Sequence, residues 1–242
     1  MKDHGFLRVS AISPRVSVGD PHDNAKAIAD AAHAASAEGS AIALFPELCI
    51  SGASCGDLFS SDALCDSVLE ALAFLREESS KIACAIVVGL PLRLNARLYN
   101  CAVLLQGGCI RGIVPKTLSP SDPQSRWFCS APGFGARADS VSLLGETVPF
   151  GNIVFKDGLG RAFGIEIGSD SQLGFPPSQS LVMSGAALIL RPSARACSGT
   201  FYETLIEEIE ADSRRYRCAI LYAGAGHGES TSEAVFGGEC LV

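Results

Sequence analysis

Two polar residues each come directly after a proline that closes an apolar run typical of a buried strand. Glu47 follows the run Ala41–Phe45, and Lys116 follows the run Cys109–Val114. Because layered α/β folds place their ligands beyond the carboxyl ends of the strands, both side chains could line one site. A carboxylate there can act as a general base, and a lysine can stabilise an oxyanion. Taken alone, each is better explained as a solvated surface residue, so the pair needs a third segment to become informative.

The elements that must position these residues alternate between strand and helix patterns, which predicts an α/β layered domain. Helical periodicity extends over three long segments: Asp20–Gly39, Asp62–Lys81 and Phe201–Arg217. A short helix is also expected between the strands at 161–167 and 186–190. Apolar runs of strand length are Phe6–Ser13, Ala41–Phe45, Ala83–Gly89, Leu98–Leu105, Cys109–Val114, Arg161–Ile167, Ala186–Leu190, Ala219–Ala223 and Ala234–Val242. The glycines at 107 and 108 predict a hairpin turn. Residues 119–135 predict a loop, and 131–160 an irregular insertion.

Composition and charge limit the classes of function. The chain has 242 residues, of which 48% are hydrophobic and 19% charged, as in a globular protein with a large core. Its net charge of −7 argues against a nucleic-acid partner or an anionic membrane. The N-terminus carries no secretory signal pattern, and no apolar run approaches the roughly 20 residues that cross a bilayer.

The ten cysteines are the other compositional signal. None is spaced as Cys-x-x-Cys, and most lie inside apolar runs, where a free thiol packs as a small hydrophobe. Reduced core thiols in a cytoplasmic protein are therefore expected, rather than a disulfide framework or a zinc site. No metal and no cofactor is predicted.

Several segments together resemble the nitrilase superfamily of carbon–nitrogen hydrolases, and most closely the glutaminase domain of glutamine-dependent NAD synthetases. They cover the chain from about residue 5 to its end, and they are Asn24, Phe45–Phe59, Leu98–Asn100, Val114–Lys116, Gly164–Ile167, Tyr222–Thr231 and Val235–Gly238. The resemblance implies a nitrilase-type four-layer αββα sandwich and assembly into a homo-oligomer. It also implies one carbon–nitrogen hydrolase domain over residues 1–242, without the family's C-terminal end or any synthetase domain.

The same resemblance implies a mechanism for intact members. A cysteine thiolate attacks the side-chain amide of glutamine, a glutamate acts as base and then as acid, and a lysine stabilises the oxyanion. Glu47 and Lys116 match the glutamate and the lysine, whereas Gly168 stands at the cysteine position. A glycine cannot form a thioester, so the nucleophile that such acyl transfer requires is missing.

The residues around the lost nucleophile also depart from the family's pattern. Ser169 is adjacent, but one residue at a strand end changes the side-chain direction, so it is not expected to replace the thiol. Ala53 stands where the family has an aromatic residue that helps to form the pocket. The segment after Lys116 lacks the family's aromatic residues and its second glutamate. Past residue 190, Ser193 is the one residue that matches the family's contacts to glutamine. Ala53, Ser169 and Ser193 are therefore candidate positions of a degenerate substrate pocket.

Three interpretations remain open on the sequence. The chain is a catalytically inactive glutaminase-like domain kept for binding, an active amidohydrolase that uses other residues, or an inactivated fragment of an NAD synthetase. Losses in separate segments favour inactivity, because nothing maintains a pocket once its nucleophile is gone. A synthetase domain is a possible partner under this resemblance, and a copurification experiment would reveal it.

Overall fold

Two mixed β-sheets face each other in the computed structural model, and helices cover the outer face of each sheet. The structure describes residues 6–131, 139–229, 231 and 234–242. The layers follow the order helices, sheet, sheet, helices, which is the four-layer αββα sandwich expected from the resemblance. Among the described residues, no helix is both long and apolar enough to cross a membrane.

The first sheet has seven strands in the order β1-β2-β3-β4-β5-β7-β6. Its strands are β1 Val9–Ala11, β2 Ile42–Leu44, β3 Ala85–Leu94, β4 Arg97–Gln106, β5 Cys109–Pro115, β6 Asp139–Leu143 and β7 Glu146–Phe150. β1, β2 and β3 pair in parallel, whereas β3, β4 and β5 form antiparallel hairpins. The hairpin predicted at Gly107 and Gly108 is confirmed, and both glycines have the positive φ that such turns require.

The second sheet has five strands in the order β12-β11-β10-β9-β8. They are β8 Val154–Lys156, β9 Ala162–Ile165, β10 Leu188–Ser193, β11 Ala219–Gly224 and β12 Cys240–Leu241. β9, β10 and β11 run in parallel, so their carboxyl ends meet at one edge, where residues 166–170 and 194 follow.

Within the described residues, four α-helices form the outer layers: α1 Pro21–Ala37, α2 Asp62–Glu78, α3 Pro177–Met183 and α4 Phe201–Tyr216. α1 begins as the sequence predicts, because the Asp20 side chain accepts a hydrogen bond from the amide of Asp23 and Pro21 occupies the first turn. Apolar positions of α1 and α2 pack on the first sheet, and those of α3 and α4 pack on the second. The short predicted helix between β9 and β10 is α3.

A separate apolar cluster fills the space between the two sheets, which face each other through residues of alternating strand positions. Leu44 of β2, Leu190 of β10 and Leu221 of β11 are all fully buried there. This layer brings the carboxyl ends of β2 and β5 in the first sheet close to the carboxyl ends of β9 and β10 in the second.

Two sequence expectations about secondary structure are wrong. Residues 139–156 are not an irregular insertion but the β6–β7 hairpin and β8, whose short alternating strands are hard to distinguish from loop by composition. The predicted strand Ala234–Val242 is confined to Cys240–Leu241. Up to Ala131, the predicted loop is present except for one short 3₁₀ helix at Pro123–Arg126, and its remainder lies outside the described residues.

Candidate functional site

Glu47, Lys116 and Gly168 meet at the carboxyl ends of the strands, where the two sheets face each other. Glu47 follows β2, Lys116 follows β5, and Gly168 opens the short 3₁₀ helix Gly168–Gln172 beyond β9. The backbone around Glu47 lies tightly against β3, since a Cβ placed at Gly89 would be 2.3 Å from the amide nitrogen of Leu48. Because glycine has no Cβ, position 89 leaves room for the backbone around Glu47 to lie this close to β3.

The Glu47 carboxylate is buried and accepts four hydrogen bonds. Its Oε1 receives Nζ of Lys116 at 2.9 Å, Nδ2 of Asn100 at 2.7 Å and Nε2 of Gln124 at 2.9 Å. Its Oε2 receives the backbone amide of Ala194 at 2.8 Å. Since the side chain is only 1% exposed, these donors replace the water that a carboxylate needs. The arrangement orients the carboxylate toward Gly168.

Lys116 is the positive partner of this carboxylate and is itself 3% exposed. Its Nζ also lies 3.1 Å from Oε1 of Gln124 and 3.4 Å from Oδ2 of Asp122. Burial alone would lower the pKa of Lys116, but attraction to Glu47 and Asp122 outweighs it and raises that pKa. The lysine is therefore held as a cation, the form that could stabilise a developing oxyanion.

Gly168 has a left-handed backbone, with φ of +51°, at a turn from strand to helix. Such sharp turns are where many hydrolases hold their nucleophile. A Cβ placed on Gly168 would lie 2.5 Å from Oε2 of Glu47 and 3.5 Å from Nζ of Lys116. Any side chain at position 168 would thus start at the base and the cation, and in this chain the Glu47 carboxylate fills the space where that side chain would begin.

Asp170 ties the turn that holds Gly168 to the segment that follows Lys116. Its two carboxyl oxygens accept the backbone amides of Thr117 at 2.7 Å and Leu118 at 3.1 Å. Burial raises the pKa of Asp170 to about 7, against the opposing effects of those two amides and of Lys116. The residue links the two sheets at the site.

Ser169, adjacent to Gly168, is engaged by the loop that follows Lys116. Its hydroxyl donates to Oδ2 of Asp122 at 2.5 Å. Attraction to Lys116 and the Ser169 hydrogen bond hold the pKa of Asp122 below its usual range even though burial acts in the opposite direction. Ser169 thereby supports the network around Lys116 through Asp122.

The two remaining candidate pocket residues lie near the site without reaching Glu47. The amide of Ala53 donates to Oε1 of Glu229 at 2.6 Å, so the C-terminal segment fixes the loop after Glu47. Ser193 is fully buried at the end of β10, beside Tyr222, and the next residue is the one whose amide reaches Glu47.

Arg191, two residues before Ser193 on β10, does not enter the site. It lies on the opposite face of β10 and bonds Glu166 at 2.8 Å and Asp212 of α4 at 2.8 Å. The alternation of side chains along β10 sends Arg191 toward the helices and leaves the site to the backbone of Ala194.

Sequence reasoning missed four polar residues that build the network: Asn100, Asp122, Gln124 and Asp170. Asn100 belongs to a segment that carries the family resemblance, but the segment alone gave it no role. Asp122 and Gln124 lie in the stretch after Lys116 that was interpreted as depleted, and Asp122 caps the first turn of the 3₁₀ helix there. Among the described residues, no group of three or more His, Cys, Asp or Glu side chains could hold a metal ion.

Comparison with known families and structures identifies what this chain is similar to. The sequence profile of the carbon–nitrogen hydrolase family matches residues 8–167. The glutamine-dependent NAD(+) synthetase of Mycobacterium tuberculosis (strain H37Rv) is 36% identical over 99% of this chain, and that of Mycobacterium leprae is 31% identical over 98%. The chain spans only 36% and 35% of the length of these two relatives.

Solved structures of a glutamine-dependent NAD(+) synthetase and of an amidase share the fold of this chain. A glutamine-dependent NAD(+) synthetase from Cytophaga hutchinsonii superimposes with a TM-score of 0.84 at 24% identity, over 97% of this chain and 38% of that one. A mutant amidase of the nitrilase superfamily from Nesterenkonia superimposes with a TM-score of 0.77 at 20% identity, over 97% of this chain and 81% of that one. At these identities the structures establish the fold.

Proposed function

Because the chain belongs to the carbon–nitrogen hydrolase family, we propose that it is a glutaminase-like domain, related to that of glutamine-dependent NAD synthetases, which has lost hydrolytic activity. The observation that carries the proposal is the pairing of Gly168 with Glu47. Position 168 keeps the left-handed turn of a nucleophile position but has no side chain, and the carboxylate of the base fills the space. Without a thiol or hydroxyl there, no covalent acyl intermediate forms at this position.

Two further features support the loss of activity. The Glu47 carboxylate is held in place by four donors of the chain, from Lys116, Asn100, Gln124 and Ala194. The hydroxyl nearest in sequence to the lost nucleophile, Ser169, is engaged by Asp122. Glu47 and Lys116 then act as a buried structural pair of the first sheet, which the Ala194 amide ties to the second sheet, in the positions where a base and an oxyanion stabiliser would act.

Ammonia release from glutamine and from simple amides tests this proposal in the purified chain. We expect no turnover above the uncatalysed rate, since loss of a covalent nucleophile costs several orders of magnitude in rate. Glu47→Gln should leave the rate of ammonia release unchanged. Measurable turnover by the native chain that Glu47→Gln abolishes would instead establish an amidohydrolase with unconventional residues.

Gly168→Cys separates the loss of the nucleophile from decay of the pocket. The new Cβ would meet the Glu47 carboxylate at 2.5 Å, and the new residue would have to keep the φ of +51°. Ala53 supplies no aromatic wall, so we expect this variant to remain inactive. Restored ammonia release would leave the loss of the native nucleophile as the sole cause of inactivity and would refute the decayed pocket.

A retained fold without chemistry points to a role in binding, and a synthetase domain is the partner that the relatives suggest. The relatives are named glutamine-dependent NAD(+) synthetase, and this chain spans about a third of their length. Copurification from the native source tests both a synthetase partner and homo-oligomer formation, with sedimentation velocity as the second measurement. A monomer that retains no synthetase would exclude both partners.

A further inference from the structure

A second concave site lies between the sheets at the end of the sandwich opposite Glu47. It is a cleft of about 960 Å³, lined by the first residues of several parallel strands, including Val9, Ile42 and Leu188. Glu47 and Gly168 lie beyond the carboxyl ends of those same strands, so the cleft and the candidate active site are separated by the packed layer between the sheets.

The cleft exists because small residues leave the space between the sheets unfilled at this end. Toward the middle of the layer, positions such as Leu44 and Leu190 carry large side chains that pack completely. At the open end, six of the lining residues are alanines: Ala41, Ala83, Ala85, Ala162, Ala187 and Ala219. Pockets for small ligands commonly measure about 300–1,000 Å³ and are mostly apolar, which is the character of this cleft.

The charged residues of the cleft are predominantly positive and come from both sheets. Arg111 of β5 and Lys156 of β8 line it, together with Arg161 and Asp157, which pair with each other at 2.6 Å. Within the described part of the chain, no ion pair reaches Arg111 or Lys156. In a protein whose net charge is −7, two such cations beside an apolar cleft favour an anionic ligand.

We propose that this cleft binds a free medium-chain carboxylate. Its hydrocarbon tail would lie between the sheets against side chains such as Leu104, Phe155 and Phe163, and its carboxylate would lie near Arg111 and Lys156. Burial of the tail removes apolar surface of both ligand and cleft from water, and the two cations fix its direction. The site is independent of Glu47 and of any hydrolysis.

The proposed burial of the hydrocarbon tail is tested by titration of the intact chain with hexanoate, octanoate and decanoate. The titrations are made at constant ionic strength and below the concentrations at which micelles form. Because each buried methylene is worth about 0.8 kcal/mol, affinity should rise about three- to fourfold per added carbon. Decanol, which has the same tail without the charge, should bind more weakly than decanoate. Affinity that does not depend on chain length would overturn the proposal.

Two variants test the cations and the location. Arg111→Gln/Lys156→Gln should weaken decanoate about three- to tenfold and leave decanol unchanged, as expected for two partly exposed ion pairs. Lys26→Gln/Arg97→Gln removes the same charge from distant exposed positions and should leave decanoate binding unchanged. An equal loss in this control would mean that binding reflects net charge and not the cleft.

Ala41→Phe fills the cleft with a side chain and should abolish decanoate binding while the protein stays folded by circular dichroism. If that variant does not fold, the charge variants decide the question alone. Sedimentation velocity with and without decanoate covers the competing occupant, a second copy of the chain. Absence of decanoate binding, together with a change in association state in the Arg111→Gln/Lys156→Gln variant, would assign the cleft to self-association and refute the proposal.

Discussion

Two buried ion-pair centres lie on either side of the second sheet, and they differ in what surrounds them. One is Glu47 with Lys116 at the junction of the two sheets. The other is Arg191 with Glu166 and Asp212, between the second sheet and its helices. β10 serves both, with Arg191 on one face and the backbone of Ala194 beyond its end. Burial of a charged pair is thus no evidence of catalysis in this fold.

The difference lies in the neighbours. Glu166 also accepts the amide of Ser178, at the start of α3, so the Arg191 centre fastens two helices to the sheet. Glu47 instead faces Gly168, where a left-handed turn presents a position without a side chain. The first centre is completed by structural elements, whereas the second is arranged around a position that carries no side chain.

The largest effect is expected at the structural centre. Arg191→Met should destabilise the protein by about 3–5 kcal/mol, because it leaves Glu166 buried without its cation. Urea unfolding measures the change. Arg214→Met removes an exposed arginine of α4 and is the control, with little change expected, since its pair with Glu210 is solvated. A cost for Arg191→Met no greater than that of the control would show that the centre does not fasten the helices.

Asp170 gives the next largest effect, and it depends on pH. The pKa of Asp170 is raised to about 7, so the folded state holds a proton that the unfolded state releases near pH 4. The resulting stability is full below about pH 4 and is lost as the pH rises through about 7. Between pH 5 and pH 8 the native protein should lose about 2–3 kcal/mol from this residue.

Asp170→Asn isolates that effect, because asparagine does not titrate. The variant loses part of the contact with the amides of Thr117 and Leu118, so it should be less stable than the native protein at pH 5. At pH 8 the difference in unfolding free energy between the native protein and the variant should be smaller, by the stability that the native protein loses between the two pH values. Unfolding free energies at the two pH values give the comparison, and a gap that is constant with pH would contradict the raised pKa.

Glu47→Gln should cost less than Arg191→Met, about 2 kcal/mol. Lys116 keeps Asp122 at 3.4 Å, so its charge is not left alone. The new amide nitrogen would lose one contact if it faced the Ala194 amide and three if it faced the donors on Oε1, so it should face Ala194. Glu166→Gln is the matched control in the other centre. A larger loss of stability at Glu47 than at Glu166 would reverse the comparison.

The sequence predicted the parts of this molecule that follow from local pattern and from family resemblance. Glu47 and Lys116 could be placed because each ends a buried run, and α1 could be placed from its Asp20 cap. The roles of Asp122 and Gln124 could not be predicted, because they depend on how the loop after Lys116 folds back on the site. The face of β10 on which Arg191 lies could not be predicted either, since a shift of one residue along a strand moves a side chain to the other face. The β6–β7 hairpin escaped because its strands carry few apolar residues.

The smallest predicted effect tests the contact on which the functional proposal depends. Gly168→Ala and Gly160→Ala both place a Cβ on a left-handed backbone, at φ of +51° and +79°, so both incur a strain of about 1–2 kcal/mol. A Cβ at Gly160 meets nothing within 4 Å, whereas at Gly168 it meets Oε2 of Glu47 at 2.5 Å. Gly168→Ala should therefore cost about 1–2 kcal/mol more than the control, because the carboxylate must leave its contact with Ala194. In a Glu47→Ala background that excess should disappear, since the group that obstructs the new methyl is gone. An excess that persists without the Glu47 carboxylate would place the obstruction elsewhere and would remove the structural argument that the base fills the space of the lost nucleophile.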